Sequence, residues 1–238
     1  MSFLVNPYAL ASGGAGLPTR SLSFASASSQ GLSMSATDFG SYNRSKFAIS
    51  LWTKRASTGS SVILAPFATG QRGFQLAWDG GSLGFFSINA SDGSTNGGLT
   101  TSATFTNTSH WYHILVWFDV DNPSSGNRMR MWIDGSEITS FSFDTAPTNP
   151  VTNSTADYFV GGQSAFGFLN GLIYQLGFFS GTLPVIGDVY NSGSPVDISG
   201  LTGLWSYLDC AGNDPTRDGV RAANWTNNNS VTTSTDIP

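Results

Sequence analysis

Charged residues, cysteine and glutamate are all scarce in this chain of 238 residues. Asp, Glu, Lys and Arg make up 11% of it, less than half of the roughly 25% found in an average domain. The 10 Lys and Arg residues are scattered, so neither nucleic acid nor an anionic membrane is expected as a partner, because both need clustered positive charge. Ser, Thr, Asn and Gly are therefore expected to form the surface.

The single cysteine, Cys210, cannot form a disulfide within the chain, which excludes a disulfide-stapled extracellular scaffold. The segment "MSFLVNPYALASGGAGLPTR" has no basic start, and Pro7 interrupts its short apolar stretch. Neither a signal peptide nor a membrane span is expected from such a segment. We therefore predict that the protein is made in a cytoplasm and folds there without disulfides.

Alternation of apolar and polar residues is the main structural signal and predicts β-strands. In "KFAISLWTKR", Phe47, Ile49 and Leu51 share one face, which predicts a half-buried strand whose outer face carries one large aromatic residue, Trp52. The run "WYHILVWFD" is apolar on both faces, as expected for a central strand, and the loop "DVDNPSSGN" connects it to "RMRMWIDG". About twelve antiparallel strands are expected before Pro184, with "WDGG" as a hairpin turn.

The chain is expected to divide into an N-terminal arm over residues 1–18, a β-sandwich over 19–183 and a C-terminal extension over 184–238. Pro184 and Gly193 bracket a stretch that is typical of a short helix. "LTGLWSYLD" is then expected to form one more strand. The rest of the extension is rich in turn residues, so we predict an irregular tail with Trp225 as its large apolar anchor.

Five blocks, in this order and about this spacing, resemble the concanavalin A-like lectin/glucanase domains of the laminin-G and pentraxin kind. They are "FAISLWTKR", "WYHILVWFD", "MRMWIDGSEI", "GGQSAFGFLNGLIYQLGFFSGTLP" and "VIGDVYNSG". The resemblance implies an all-β fold: a two-sheet antiparallel β-sandwich, or concanavalin A-like jelly roll, with a short helix and an irregular C-terminal extension.

The catalytic residues of the glucanases that this resemblance implies are missing. Those enzymes use a pair of glutamates as nucleophile and general acid, and this chain has one glutamate, Glu137. Asp119 and Asp121 are the nearest pair of carboxylates, but they lie in a predicted hairpin loop, where Asp usually serves the turn. His110 and His113 are three residues apart on a predicted strand and should point to opposite faces. We predict that the protein is not an enzyme.

A binding role is the remaining class. Calcium could find oxygen ligands on the predicted loops at Asp79, Asp92, Asp119, Asp121 and Asn122, but no calcium-loop spacing is present, so no cofactor is predicted and calcium stays an open alternative. Of these residues, the loop with Asp119, Asp121 and Asn122 is the candidate for contact with a partner.

The three tryptophans Trp52, Trp78 and Trp132 would suit a sugar-stacking platform, but core packing is the expectation for large aromatics in a sandwich.

The two ends of the chain resemble those of structural proteins of tailed bacteriophages. "FLVNPYALASGGAG" opens it, and "LWSYLD" leads through "NDPTRDGV" to "NWTNNNSVTTSTDIP". This resemblance implies a virion surface protein, made in the host bacterial cytoplasm, most simply a capsid decoration protein. Its partners would be the major capsid protein or another virion protein and further copies of itself, for example in a trimer. The alternative is a carbohydrate-binding lectin module, or a tail-fibre receptor-binding protein, that recognises a cell-surface glycan.

Overall fold

The structure is a computed structural model, and it describes residues 16–67, 72–89, 94–152, 155–163, 167–209, 213–221 and 224–238. Residues 1–15 of the expected arm, Asp92 and Cys210 lie outside these ranges. The first strands are β1 (Ser21–Phe24), β2 (Gly31–Met34), β3 (Lys46–Arg55), β4 (Ser61–Phe67), β5 (Arg72–Asp79), β6 (Ser82–Asn89), β7 (Thr95–Thr101), β8 (Tyr112–Asp119), β9 (Met129–Ile133) and β10 (Ser136–Glu137).

The second half of the chain adds shorter elements. Its strands are β11 (Phe141–Thr145), β12 (Asp157–Val160), β13 (Gly162–Gln163), β14 (Gly167–Phe168), β15 (Gly171–Ser180), β16 (Tyr190–Asn191), β17 (Ser194–Pro195), β18 (Leu204–Leu208), β19 (Thr226–Asn228) and β20 (Thr232–Ser234). The helices are α1 (Ala36–Phe39) and α2 (Ile186–Val189), and 3-10 turns lie at Ser26–Ser28 and Ser125–Asn127.

Two antiparallel sheets form a sandwich, which confirms the predicted fold class. Sheet A has the order β10-β9-β8-β3-β15-β1-β20, with β18 also paired to β15. Sheet B has the order β11-β7-β6-β5-β4-β12-β2-β19. The pairs β13–β14 and β16–β17 form separate two-stranded hairpins.

Tight turns set the register of the hairpins. The predicted turn at "WDGG" is confirmed: Asp79 pairs with Ser82, and Gly80 between them has a φ of 56°. In the turn from β9 to β10, both central residues, Asp134 and Gly135, have positive φ, of 48° and 78°. Two successive residues of positive φ match the twist of the strands that they join, which is why Asp and Gly suit this turn.

The core between the sheets is rich in aromatic rings. The Phe47 ring of sheet A lies 5.0 Å from that of Phe74 in sheet B, and it stacks on Phe118 and Phe178 at 5.0 Å and 5.3 Å between centroids. Trp52, Trp78 and Trp132 are all buried, so the expectation that they pack rather than form an exposed platform is confirmed.

The prediction of a half-buried β3 was wrong, because both faces of this strand are covered. Residues 183–201 cross the outer face of sheet A, where Val189 and Ile198 pack with Trp117, Trp132 and other residues in a second apolar cluster. Trp52, on the same face, stacks against the ring of Tyr190 at 5.5 Å. The alternation of residues within one strand does not predict whether a distant segment of the chain will bury the second face of that strand.

The number of strands was also underestimated. Fifteen strands precede Pro184 in the described ranges, against about twelve expected, and three of them (β10, β13 and β14) are only two residues long. A two-residue strand is too short to produce a pattern of alternation, so the sequence carries no signal for it.

The C-terminal region differs from its prediction in two respects. The short helix is present but ends at Val189, and Gly193 instead occupies the turn between β16 and β17, with a φ of 89°. The tail is not irregular throughout, because β19 pairs with β2 at one edge of sheet B and β20 pairs with β1 at one edge of sheet A. The predicted strand in "LTGLWSYLD" is confirmed as β18.

Neither four-residue α-helix in the described part of the chain is long enough to span a membrane.

The Trp225 side chain is expected to be a main contribution of the tail to the stability of the sandwich. Its side chain is 3% exposed and meets the Phe39 ring edge-on at 6.2 Å, so Trp225→Ala removes a large buried group. We expect the free energy of unfolding to fall by about 3 kcal/mol or more, as measured by chemical denaturation. The control is Val220→Ala, since Val220 is 45% exposed and should change stability by less than about 0.5 kcal/mol. Equal, small losses in both variants would contradict this role for the tail.

Candidate functional site

The two sheets differ in what covers their outer faces. Residues 183–201 bury the outer face of sheet A around Trp117, Trp132 and Phe179, whereas on sheet B the side chains of Gln75, Phe86 and Phe159 remain partly exposed. Ligand sites need accessible side chains, so the outer face of sheet B is the surface to examine.

An open cleft of about 290 Å³ lies at the β19 edge of sheet B. We call it the edge cleft. Three separate stretches of the chain supply its walls, brought together because β2 pairs with both β12 and β19. Its lining residues are Ser29, Gly31, Ser33, Phe159, Gly162, Phe168, Asn228 and Asn229.

The backbone around the edge cleft is unusual. Ser29, Asn229 and Ser230 have φ of 52°, 58° and 62°, and Gly161 and Gly162 on the opposite wall have φ of 83° and 113°. Positive φ is uncommon for residues other than glycine, and such conformations concentrate at functional sites. The clustering here marks the cleft as a constrained place in the fold.

Side-chain hydrogen bonds hold the loops beside the cleft in place. Asn229 Nδ2 donates to the carbonyl oxygen of Ser29 at 2.9 Å, and Gln30 Nε2 donates to that of Ser230 at 2.8 Å. Asn228 Nδ2 donates to Ser33 Oγ at 2.9 Å across the β2–β19 pair. The polar groups of the cleft are therefore positioned before any ligand arrives, which lowers the entropy cost of binding.

The chemistry of the edge cleft is aromatic and uncharged. Phe159 and Phe168 are both partly exposed, and the amides and hydroxyls around them can donate and accept hydrogen bonds. None of the described lining residues is ionisable, so these residues offer no side chain for acid–base chemistry or for pairing with a charged ligand. It suits a neutral ligand that has both an apolar face and many hydroxyl groups.

A second cleft, of about 360 Å³, is bordered by an ion pair. Lys54 Nζ lies 2.7 Å from Asp236 Oδ2, and the Trp111 indole donates to Asp236 Oδ1 at 3.0 Å. The hydrogen bond from Lys54 is the main reason why the pKa of Asp236 is lowered. These contacts join the tail to sheet A.

Arg55, which also lines the second cleft, is a structural residue. Its guanidinium group donates to the carbonyl oxygens of Phe105, Gly59 and Gly80 at 3.0, 2.9 and 2.6 Å, and stacks over the Trp78 ring at 4.5 Å. Burial lowers the pKa of Arg55. The side chain thus ties three loops together, and its donors serve the fold.

A loop connects β8 to β9 as predicted, but Asp119 is the last residue of β8 and not part of the loop, and its partner lies on β3. Asp119 is buried and lies 3.2 Å from Lys46 Nζ, and Asn122 Oδ1 accepts the backbone N–H of Ser124 at 3.0 Å. Asp121 is the exposed member of the three. Contact with a partner through Asp119, Asp121 and Asn122 stays a prediction.

The calcium candidates do not gather into a metal site. In the described ranges, no group of three or more His, Cys, Asp or Glu side chains is placed to hold a metal ion. Asp119 is already paired with a cation, and Asp79 Oδ1 accepts a hydrogen bond from Ser60 at 3.3 Å. The described candidates therefore do not form a calcium site, and Asp92 lies outside the described residues.

Glu137 and the two histidines are all engaged in local contacts. Glu137 accepts two hydrogen bonds from Arg130, at 2.6 and 2.7 Å. His110 pairs with Asp134 at 2.8 Å, whereas His113 is buried 3.0 Å from Ser50 Oγ, so the two imidazoles have different partners. Burial lowers the pKa of His113 to about 3, which keeps this imidazole neutral.

The residues of the edge cleft were not predicted from the sequence. Phe159 and Phe168 are nearby in the sequence, but Asn228 is far from both, and the three belong to no recognisable motif. The β2 pairings bring Asn228 to Phe159, so the order of the strands would have been needed to find the site.

A family model described as the concanavalin A-like lectin/glucanases superfamily matches residues 26–185, about two thirds of the chain. No curated protein matches the sequence.

Two solved structures have similar folds. A Bacteroides ovatus protein with a suggested role in carbohydrate binding is 13% identical with a TM-score of 0.65, and the match covers 92% of this chain and 60% of that one. Domains LG4-5 of the mouse laminin α1 chain are 15% identical with a TM-score of 0.50, covering 68% of this chain and 42% of that one. This chain thus spans less than two thirds of either protein. At these identities the likeness concerns the fold alone.

The buried His113 predicts a pH dependence of stability. Its pKa is about 3 in the folded state and about 6.5 in an unfolded chain, so the unfolded state takes up a proton first as the pH falls. The free energy of unfolding should therefore fall below pH 6.5 by about 1.4 kcal/mol per pH unit from this residue alone, and this contribution should be flat above pH 6.5.

Urea denaturation of the wild type and of His113→Gln between pH 7.5 and 4.5 measures this contribution. The variant should lack that part of the slope, whatever its stability at pH 7.5. Parallel profiles would mean that His113 does not stay neutral in the folded protein.

Proposed function

Because the chain belongs to the concanavalin A-like lectin/glucanases superfamily, we propose that it is a carbohydrate-binding module without catalytic activity, and that the edge cleft holds a neutral glycan. The observation that carries the proposal is the cleft itself, in which two partly exposed phenylalanine rings lie among amides and hydroxyls, with no ionisable side chain among the described lining residues.

A sugar ring matches this combination of groups. Its C–H faces are apolar and pack against aromatic rings, while its hydroxyl groups both donate and accept hydrogen bonds. Asn228 and Asn229 each carry an amide with donors and an acceptor, and the Ser29 and Ser33 hydroxyls can take either role. The fold that this chain shares with the Bacteroides ovatus protein, whose suggested role is carbohydrate binding, is in keeping with this ligand.

Two of the carboxylates that the sequence singled out, Glu137 and Asp119, are held by cations. Glu137 is held by Arg130 in a two-bond ion pair, and Asp119 by Lys46. A glycoside hydrolase needs two carboxyl groups on either side of the scissile bond. The edge cleft has none among its described lining residues.

The virion assignment made from the sequence stays a prediction. It comprises capsid decoration or a tail-fibre role, a place on the virion surface, and contacts with capsid protein and with further copies of the chain. Quantitative mass spectrometry of purified particles, giving copies of this chain per major capsid protein, tests it directly. A glycan site is compatible with that role, since a module on a particle can also hold a sugar.

Phe168→Ala tests the edge cleft. A glycan array first identifies the neutral glycan that the wild type binds, and isothermal titration calorimetry then compares the variants with that glycan. We expect Phe168→Ala to weaken binding at least about tenfold, which corresponds to the loss of about 1.4 kcal/mol. The reason is that the ring supplies apolar contact area that alanine cannot replace.

Val185→Ala is the matched control, because Val185 is 67% exposed and lies in the segment that covers sheet A. It should bind like the wild type. Thermal melting of both variants checks that they are folded. A wild type that binds no neutral glycan, or a folded Phe168→Ala with undiminished affinity, would refute the site.

A further inference from the structure

The edge cleft continues into a line of residues that runs straight across the strands of sheet B. Phe159, in the cleft, lies opposite Ser33 on one side and Ala65 on the other. Ser33 in turn lies opposite Thr226 on β19. Residues directly opposite each other in antiparallel strands point to the same face, so these four share the outer face of the sheet.

The line continues on the far side of β4. The β4–β5 ladder pairs Leu64 with Leu76. One residue further along each strand, Ala65 therefore lies beside Gln75, and Gln75 lies opposite Phe86 on β6. Phe86 lies opposite Gly98 on β7, which lies opposite Thr145 on β11. We call this line of opposed residues, from Thr226 to Thr145, the transverse row.

The transverse row contains no ionisable residue from one edge of sheet B to the other. Hydroxyls at Thr226, Ser33 and Thr145 and the amide of Gln75 lie along the row beside the two aromatic rings. Ala65, between the rings, is buried with Val62 and Ala77. On this face of β12, Asp157 lies two residues before Phe159. Its negative charge disfavours the binding of a polyanion. The row therefore complements a neutral chain with many hydroxyl groups.

Phe86 lies flat against the sheet because glycines flank it. A Cβ at Gly98 would lie 2.5 Å from Cδ1 of the Phe86 ring, and a Cβ at Gly84 would collide with its Cε2. The ring thus occupies the space that two side chains would otherwise fill. Phe143, 38% exposed, lies beside it with 6.1 Å between ring centroids. Together these two rings form an aromatic platform on the outer face.

The platform is too far from the edge cleft for one sugar ring to touch both. β6 and β12 are separated by β5 and β4. Three strand spacings of about 4.8 Å place Phe86 about 14 Å from Phe159 across the sheet. A ligand in contact with both rings must be an extended chain that runs across the strands.

We propose that Phe86 and Phe143 form a second subsite for the same glycan, so that the protein binds the interior of an extended neutral polysaccharide along the transverse row. This inference rests on the function proposed for the edge cleft. Once one part of a chain is held, contact at the second subsite no longer costs the translational freedom of a separate molecule. Affinity should therefore increase with chain length until the ligand reaches both subsites.

The test uses neutral β-linked oligosaccharides of glucose, xylose and mannose, each as a disaccharide and as a hexasaccharide, in isothermal titration calorimetry. For the series that binds, we expect the hexasaccharide to bind the wild type at least about tenfold more tightly than the disaccharide. Phe86→Ala should remove most of that gain and leave the affinity for the disaccharide unchanged. Phe168→Ala should weaken both ligands.

Two further variants distinguish the loss of the aromatic ring as a ligand contact from a loss of folding. Phe86→Leu keeps an apolar side chain over Gly84 and Gly98 but removes the flat ring, so it should lose the same gain while staying folded. Ile88→Ala changes a partly exposed residue on the same face of β6, two positions away from the row, and should behave like the wild type.

Three outcomes would overturn the second subsite. The first is that the wild type binds the disaccharide and the hexasaccharide with equal affinity, or that both Phe86 variants keep the tighter binding of the hexasaccharide. If Phe168→Ala still weakens binding in that case, the edge cleft is the whole site. The second is a wild-type dimer in analytical ultracentrifugation that Phe86→Leu dissociates, which would make the platform a contact between copies. The third is a wild type that binds no neutral glycan, either on the glycan array or in these series, which refutes the proposed function and this inference with it.

Discussion

The burial of sheet A on both faces is the constraint on which the rest of the molecule depends. Residues 183–201 pack against Trp117 and Trp132 on its outer side, while the aromatic core packs on its inner side. Over the area that residues 183–201 cover, sheet A has no accessible face, and the second cleft lies on the remaining part, beside Ser23, Lys54 and Leu172. The accessible aromatic rings lie instead on the outer face of sheet B, where glycines and small side chains flank them.

The fold could be predicted from the sequence because alternation and aromatic content are local signals. The pattern in "WYHILVWFD" identified a central strand, and "WDGG" identified the turn between β5 and β6. The family and the two-sheet sandwich were predicted correctly from five ordered blocks. What covers a face is not a local property, so the outer side of β3 was taken as half exposed although a segment more than 130 residues later buries it.

The candidate site could not be predicted from local sequence patterns. Asp119, Asp121 and Asn122 attract attention in a sequence with few charges, but loop carboxylates and amides most often satisfy their own turn, as Asn122 does here. Phe159, Phe168 and Asn228 belong to an ordinary strand, a two-residue strand and a run of asparagines. They can be recognised as parts of one site only once β2 is known to pair with both β12 and β19.

The closing of both sheets by the tail has a consequence for biosynthesis. Ser21 pairs with Ser234, and Ser33 pairs with Thr226, so strands near the start of the chain find their partners about 200 residues later. Contacts between such distant residues form slowly, because the intervening chain must first be ordered. A ribosome that is still translating the tail therefore holds a sandwich whose β1 and β2 edges are uncovered. Unpaired edges of that kind are where strands of different chains join, so the interval before residues 226–234 emerge is when a nascent chain is most exposed to aggregation.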